Sequence, residues 1–289
     1  MIKEYNESHC WQYDIRVRNY DQDLIDSGFT EDYVRSLKVD DFEFRAVTDK
    51  QEKQKLKEFI VRHEWLGNLT QMTTHWFAAY HKGQLTGVIL FSMPNAFSKY
   101  LGENTHELER LISRGACISW SPKNLGSSFL MWCIKWMVNN TQYRLFVGYS
   151  DPTAKELGTI YQACNFYYLG QDSGTTDRYI NPYTGKIVSD RFFRTTSAYR
   201  KYAKILNIPW MKAWNKPNGR IDISAIPPEI MNKLRDYSKE VQKSSQKISY
   251  PSKHKYAYVM GRGKLETKEL RKKFTQMNKI RPFPIYRGV

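Results

Sequence analysis

The stretch YSDPTAKELGTIYQACNFYYLG, residues 149–170, decides the fold. It follows the apolar run Arg144-Leu145-Phe146-Val147-Gly148-Tyr149, which reads as a buried strand. Asp151-Pro152 marks a turn. The next ten residues have helical spacing, with Leu157, Ile160, Tyr161 and Cys164 on one face. Asn165 ends that helix, and Phe166-Tyr167-Tyr168-Leu169 begins another strand. Strand, helix and strand in so short a span predict one unit of an α/β sheet.

The flanking sequence extends the pattern. Residues 1–45 read as a lead-in, with a short helix over 32–37 and a strand near 42–47. Residues 49–61 form a helix that Thr48 or Asp49 can cap, with Leu56, Phe59 and Ile60 on one face. Residues 76–80 and 85–91 predict a β-hairpin around His81-Lys82-Gly83-Gln84. A strand over 107–112 puts Leu108 and Arg110 on one face, Glu109 and Leu111 on the other. Residues 125–138 predict an apolar helix, 171–190 an irregular loop, 256–260 a strand and 265–277 a basic helix. The expected division is a lead-in to 45, a catalytic core over 46–170, and an insertion with a basic C-terminal region over 171–289. The fold class is α/β: a mixed central sheet flanked by helices.

Charge is unevenly placed in the 289 residues: 191–289 hold 24 Lys/Arg against 6 Asp/Glu, whereas 1–190 hold 21 against 23. A near-neutral body with a polyanion-binding extension is the expectation. Trp210, Trp214, Tyr250, Tyr256, Tyr258 and Phe274 interleave with those cations, as phosphate contact with base stacking requires. A solubilising tail and an anionic membrane surface are the competing readings. The chain has 15% aromatic residues and a mean hydropathy of −0.64, with no run of 18 apolar residues and no signal-like start. Four widely spaced cysteines read as reduced thiols, which points to the cytoplasm.

The order Tyr-x-x-x-Asn-Phe, strand, Gly resembles the closing segment of acetyl-CoA-dependent N-acetyltransferases (the GNAT superfamily). The usual form there is Tyr-x-x-x-Gly-Phe, and Tyr161 falls on the tyrosine facing the thioester sulfur. Further segments are His63-Glu64-Trp65-Leu66-Gly67, Glu107-Leu108-Glu109-Arg110-Leu111, Pro122-Lys123-Asn124, Tyr149-Ser150-Asp151 and Lys253-His254-Lys255-Tyr256-Ala257-Tyr258. Together with Gly-Thr-Ile-Tyr-Gln-Ala-Cys-Asn-Phe (158–166), they resemble the Mom-type DNA modification proteins of bacteriophages, over roughly 55–170 and 250–287. The resemblance implies a GNAT-like fold and conversion of adenine in double-stranded phage DNA to N6-carbamoylmethyladenine, which blocks restriction enzymes in the infected bacterial host. Where the family often has His-Tyr, this chain has His63-Glu64.

Carried over by position, His63, Arg110, Asp151 and Tyr161 are the catalytic candidates. Tyr161 would protonate the departing thiolate, and Asp151 would orient and deprotonate an exocyclic amine. Each has a structural alternative: Tyr161 packed on the sheet, Asp151 closing a turn before Pro152, Arg110 paired with Asp151 or Glu109, His63 a helix C-terminal cation. Lys123, Asn124, Gly126, Ser127, Ser128 and Asn165 are the acetyl-CoA candidates, the pyrophosphate lying at the start of the helix from Leu125. That loop lacks the common Arg/Gln-x-x-Gly-x-Gly/Ala signature. Lys253, Lys255, Arg262, Arg271, Lys272 and Lys273 are the DNA-binding candidates. Iron is conceivable, but no ligand cluster in the sequence argues for it. The competing functions are acetylation of another amine, on an aminated thymidine or a protein, and DNA binding without catalysis.

Overall fold

The computed structural model describes residues 10–69, 72–94, 99–171 and 175–285. In chain order the elements are α1 (Trp11–Ser27), α2 (Glu31–Ser36), β1 (Glu43–Ala46), α3 (Lys50–His63), β2 (Thr73–His81), β3 (Gln84–Ser92), β4 (Glu109–Cys117), α4 (Leu125–Asn140), β5 (Leu145–Ser150), α5 (Thr159–Ala163) and β6 (Tyr167–Gly170). Then follow β7 (Thr175–Ile180), β8 (Ile187–Ser189), α6 (Thr196–Ile205), α7 (Pro228–Ser244), β9 (Lys247–Pro251), β10 (His254–Val259) and α8 (Lys264–Met277). None of the described helices is long and apolar enough to cross a membrane.

Seven strands form one sheet in the order β1-β2-β3-β4-β5-β10-β6. The β2–β3 hairpin turns through Lys82 and Gly83, both at positive φ (47° and 78°), the pairing of dihedrals that a two-residue turn needs to match strand twist. Of the described strands only β4 and β5 pair in parallel, and the crossover between them is α4. Alternation along β2 sends Phe77 and Ala79 to one face, against Phe129, Cys133 and Ile134 of α4. Ala78 goes to the other, with Leu56 and Ile60 of α3. Phe274 of α8 packs on that second side's Val147, Ala257 and Val259. Helices thus cover both faces of a mixed sheet, the fold class expected.

Several details differ from expectation. The lead-in contains a 17-residue helix, α1, ended by Gly28 at φ 66°. Its sequence is too polar for a clear apolar stripe, and it is fixed by tertiary bonds: Asp23, 1% exposed, accepts from Ser119 N–H and Oγ and pairs with Arg62 at 2.7 Å. The helix expected to begin near 155 is only α5, because residues 152–154 form a 3-10 turn and Gly158 sits at φ 68°. The strand expected from 107 starts at Glu109, after a 3-10 turn over His106–Leu108. The supposed loop at 171–190 carries β7 and β8.

The expected three-part division is also corrected. The chain divides into one compact unit of Met1–Asp172 with Lys253–Val289, and a second of Ser173–Ser252. The reason is β10: it pairs with β5 along Leu145–Ser150 and with β6, so the tail supplies an interior strand of the sheet. The second unit has a three-stranded antiparallel sheet, β8-β7-β9, and its own core around Phe193, Tyr202, Trp214 and Leu234. It carries 15 Lys/Arg against 6 Asp/Glu.

Candidate active site

A cleft opens where two strands part. β4 and β5 pair only over residues 109–112 opposite 145–148. Beyond that, β4 stays bonded to β3 as far as Cys117, and β5 stays bonded to β10 as far as Ser150. A cavity of about 600 Å³ fills the wedge, lined by residues 113–117 of β4, by Tyr149 and Ser150 of β5 and by Asp151 just beyond it. The inner edge of β4 past Ile112 has no strand partner among the described residues. Backbone polar groups need partners, so such an edge suits an extended, amide-bearing ligand. Ser150 Oγ, in a residue 3% exposed, is a buried hydroxyl without a partner on that wall.

The first turn of α4 forms one end of the cavity through Lys123, Asn124, Gly126 and Ser127. Asn124 is the N-cap but its side chain makes no capping bond. Ser127 Oγ donates to Asn124 O at 3.1 Å. Free N–H groups and the helix dipole make this end favourable to phosphate. Ser128 and Asn165 are outside the lining. Asn165 instead ends α5 in the left-handed region, at φ 56°.

Of the catalytic candidates, Tyr161 and Asp151 reach the cavity. Tyr161 projects from α5 onto β5, its ring stacked on Tyr256 with centroids 5.2 Å apart. Burial, then nearby Glu156 and others, push its hydroxyl above the usual tyrosine range. Asp151 Oδ1 accepts from Thr153 N–H at 3.0 Å, closing the turn, and Oδ2 pairs with Lys253 at 3.1 Å. Burial alone would raise its carboxyl, but Lys253 and Thr153 outweigh it and the net shift is downward.

His63 and Arg110 do not line the cavity. His63, 5% exposed, packs its ring at a tilt against Phe59, centroids 4.2 Å apart, and lies 3.6 Å from Asp23. Burial pushes its pKa down to about 4, so its ring is neutral near pH 7. Arg110 stacks on Tyr143 at 3.6 Å, bonds the Tyr143 hydroxyl and donates to Glu109 O at 2.7 Å. Those contacts, rather than Asp151, hold its charge.

The wall residues that sequence reasoning missed include Arg16, Ser150 and the interacting set Glu64, Arg114 and Glu156. Glu156 accepts from Trp65 Nε1 at 2.9 Å and from Asp151 N–H at 3.1 Å, and burial raises its pKa. Glu64 accepts from Gly67 N–H at 3.1 Å and lies 3.8 Å from Arg114, while burial pushes it up to about 7. One signal was available. Glu64 stands at the C-cap of α3, where a carboxylate opposes the helix dipole.

The tail residues are not one exposed strip. Lys253 belongs to the cavity through Asp151. Arg262 reaches Val138 O and Thr141 O at 3.4 Å, and Arg271 donates to Val259 O at 3.0 Å. Lys255 is half-buried in β10, while Lys272 and Lys273 are exposed. Trp214, Tyr256 and Phe274, expected as stacking platforms, are core residues, 3%, 0% and 0% exposed. Among the described residues no three His, Cys, Asp or Glu side chains are grouped as a metal site requires.

The sequence profile of the Mom protein family matches residues 42–218, more than half of the chain. The chain belongs to the Mom protein family. The matched stretch holds β1 to β6 and Tyr161, but neither β10 nor Lys253. No functionally curated protein matches in sequence. Similar solved structures include an N-acetyltransferase from Staphylococcus aureus Mu50, at 12% identity and a TM-score of 0.37, covering 75% of this chain and 97% of that one. A GNAT family acetyltransferase from Elizabethkingia anophelis with acetyl-CoA bound matches at 10% identity and 0.34, covering 76% and 99%. An aminoglycoside acetyltransferase in complex with coenzyme A matches at 15% identity and 0.36, covering 46% and 87%.

Proposed function

We propose that this Mom-family chain is an acyltransferase-like enzyme that modifies double-stranded DNA, with acetyl-CoA as two-carbon donor and adenine N6 as acceptor. The observation that carries the reading is the wedge between β4 and β5, with an uncapped helix N-terminus at one end and Tyr161 and Asp151 on its wall. The residues fit the donor. The α4 first turn and Lys123 would take the pyrophosphate, and the unpaired β4 edge and Ser150 Oγ the amides of the arm. Acetyl-CoA supplies an activated thioester.

The chain's own groups do the rest. Asp151, held ionised by Lys253, would orient an exocyclic amine, and Tyr161, held protonated by burial, would give its proton to the leaving sulfur. Adenine N6 is a poor nucleophile, so the amine must be held within about 3–3.5 Å of the reacting carbon. In duplex DNA it must also be flipped out, at a cost of a few kcal/mol. The excess of cations in the second unit and on α8 supports a polyanionic partner. Transfer by these groups gives an N6-acyl adenine, and the carbamoylmethyl product that the resemblance implies needs a nitrogen donor in addition. The resemblance also supports a role in escaping restriction and a site of action in the host cytoplasm.

Mass analysis of nucleosides from DNA co-expressed with the protein tests the reading. A new adenine adduct is the expected result. An acylated amine elsewhere would reassign the acceptor, and unmodified DNA that still binds tightly would remove the catalytic claim.

A further inference from the structure

Glu64 has an unusual setting. It follows α3, and a turn closed by Gly67, at φ 58°, folds its carboxylate back against the chain. Helix α1, whose Gln12 and Arg16 also line the cavity, holds this turn. Gln12 Nε2 donates to His63 O at 2.6 Å, and its Oε1 accepts from Trp65 N–H at 3.1 Å. Trp11 packs edge-on against Trp65 at 5.2 Å. The turn is therefore clamped, and its carboxylate is presented to the cavity with only 10% of the side chain exposed.

The other carboxylates on that wall are committed. Glu156 has one oxygen on Trp65 and the other on Asp151 N–H. Asp151 has one on Thr153 and the other on Lys253. Glu64 has backbone donors, but Arg114 on β4, its charged partner, stands at 3.8 Å, beyond hydrogen-bond length. We propose that Glu64 is the base that takes the proton from the acceptor amine. The inference rests on the acyl-transfer reading above and names the residue that completes it.

The balance is simple. The amine nitrogen bonds to the thioester carbon as its proton passes to Glu64, the C–S bond breaks, and Tyr161 protonates the departing sulfur. Solvent then receives the proton from Glu64 and restores the one on Tyr161, so nothing else is consumed. Base and acid differ by environment: Glu64 titrates at about 7, while Tyr161 is held far above it. The groups facing Glu64 are Arg114 from β4, which lowers its pKa, and Glu156 from the segment after β5, which raises it. The other charged and titratable side chains of the cavity wall are Arg16 of α1, Lys123, Asp151, Lys253, Tyr149, Tyr161, Cys10 and Cys117.

The test uses the full chain with acetyl-CoA, measuring thiol release and adduct formation against pH, with duplex DNA and separately with a free alkylamine. Glu64→Gln keeps an acceptor for Gly67 N–H, so folding and the CoA-induced thermal shift should persist while kcat falls by about 100-fold or more. The wild-type rate should fall below about pH 7, a limb absent from Glu64→Gln. Arg114→Met should move that limb to higher pH, a shift that a purely structural Glu64 would not produce. Full turnover by Glu64→Gln, or an unmoved limb in Arg114→Met, would overturn the assignment. A Glu64-dependent limb with the alkylamine but no DNA adduct would overturn only the DNA reading. No thiol release from the wild type with either acceptor would overturn both.

Discussion

Gly148 of β5 and Tyr161 of α5 approach so closely that a Cβ on the glycine would lie 2.4 Å from Tyr161 Cζ and 2.7 Å from its hydroxyl. Gly148→Ala must therefore push the ring from the cavity wall, since neighbouring Tyr256 and Phe166 leave it little room to yield. Modification should fall by about 100-fold, as in Tyr161→Phe and Asp151→Asn, while DNA affinity stays near wild type. A side-by-side rate and binding assay checks this. Normal turnover in Gly148→Ala would mean that the Tyr161 hydroxyl has no part in the reaction.

The start of α4 gives a binding prediction. A hundredfold excess of CoA over its dissociation constant should stabilise the protein by about 2.7 kcal/mol. Ser127→Glu sets a carboxylate where phosphate would lie and should remove that gain, as read by thermal melting with and without CoA. A full response in the variant would move the phosphate elsewhere.

His63 gives a pH dependence. Its pKa of about 4 in the fold lies below the ordinary 6.5, so burial of the neutral ring contributes stability that is present above pH 6.5 and lost as pH falls through 4. His63→Phe keeps the ring on Phe59 but cannot titrate. Melting curves for the two proteins should converge in that window as wild type weakens, with modification at pH 8 unchanged. A drop in turnover at pH 8 without loss of stability would restore His63 to the chemistry.

The cations separate into two roles. Lys272 and Lys273 are exposed, so replacing both with Ala should weaken DNA binding to every sequence alike. The plot of log affinity against log salt should flatten by about 0.9 for each phosphate that is no longer neutralised. Lys253→Ala should behave otherwise: it removes the partner of Asp151 and should cut turnover with little change in that slope. Equal salt slopes for wild type and the double variant would exclude α8 from the DNA interface.

Much of the sheet is legible in the sequence. The β2–β3 hairpin, α3 with its Asp49 cap, α4 and β5 have strong periodicity or explicit turn residues, and each lies within a few residues of its expected place. Tyr161, Asp151 and the α4 loop reach the cavity because their positions follow from that local order. The remainder depends on distant parts of the chain. α1 is polar and is held through Asp23 and Arg16, which bond Arg62 and Ser119, 39 and 103 residues away. Glu64 and Glu156 look like ordinary surface acids in sequence, and only the closure of α1, β4 and β5 around them buries their charge. Trp214, Tyr256 and Phe274 escape a sequence reading for a related reason: a basic neighbourhood in sequence says nothing about which side chains face inward.

The place of β10 in the sheet sets a timetable for biosynthesis. The strands on either side of it, β5 and β6, leave the ribosome first, and the 80 residues of Ser173–Ser252 follow before β10 is made. Until then the nascent chain carries two unzipped strand edges and a half-built wall, the kind of surface that chaperones shield. The second unit, with its own core, can fold during that interval. The cavity wall is therefore completed late, when β10 seats Tyr256 against Tyr161 and brings Lys253 to Asp151.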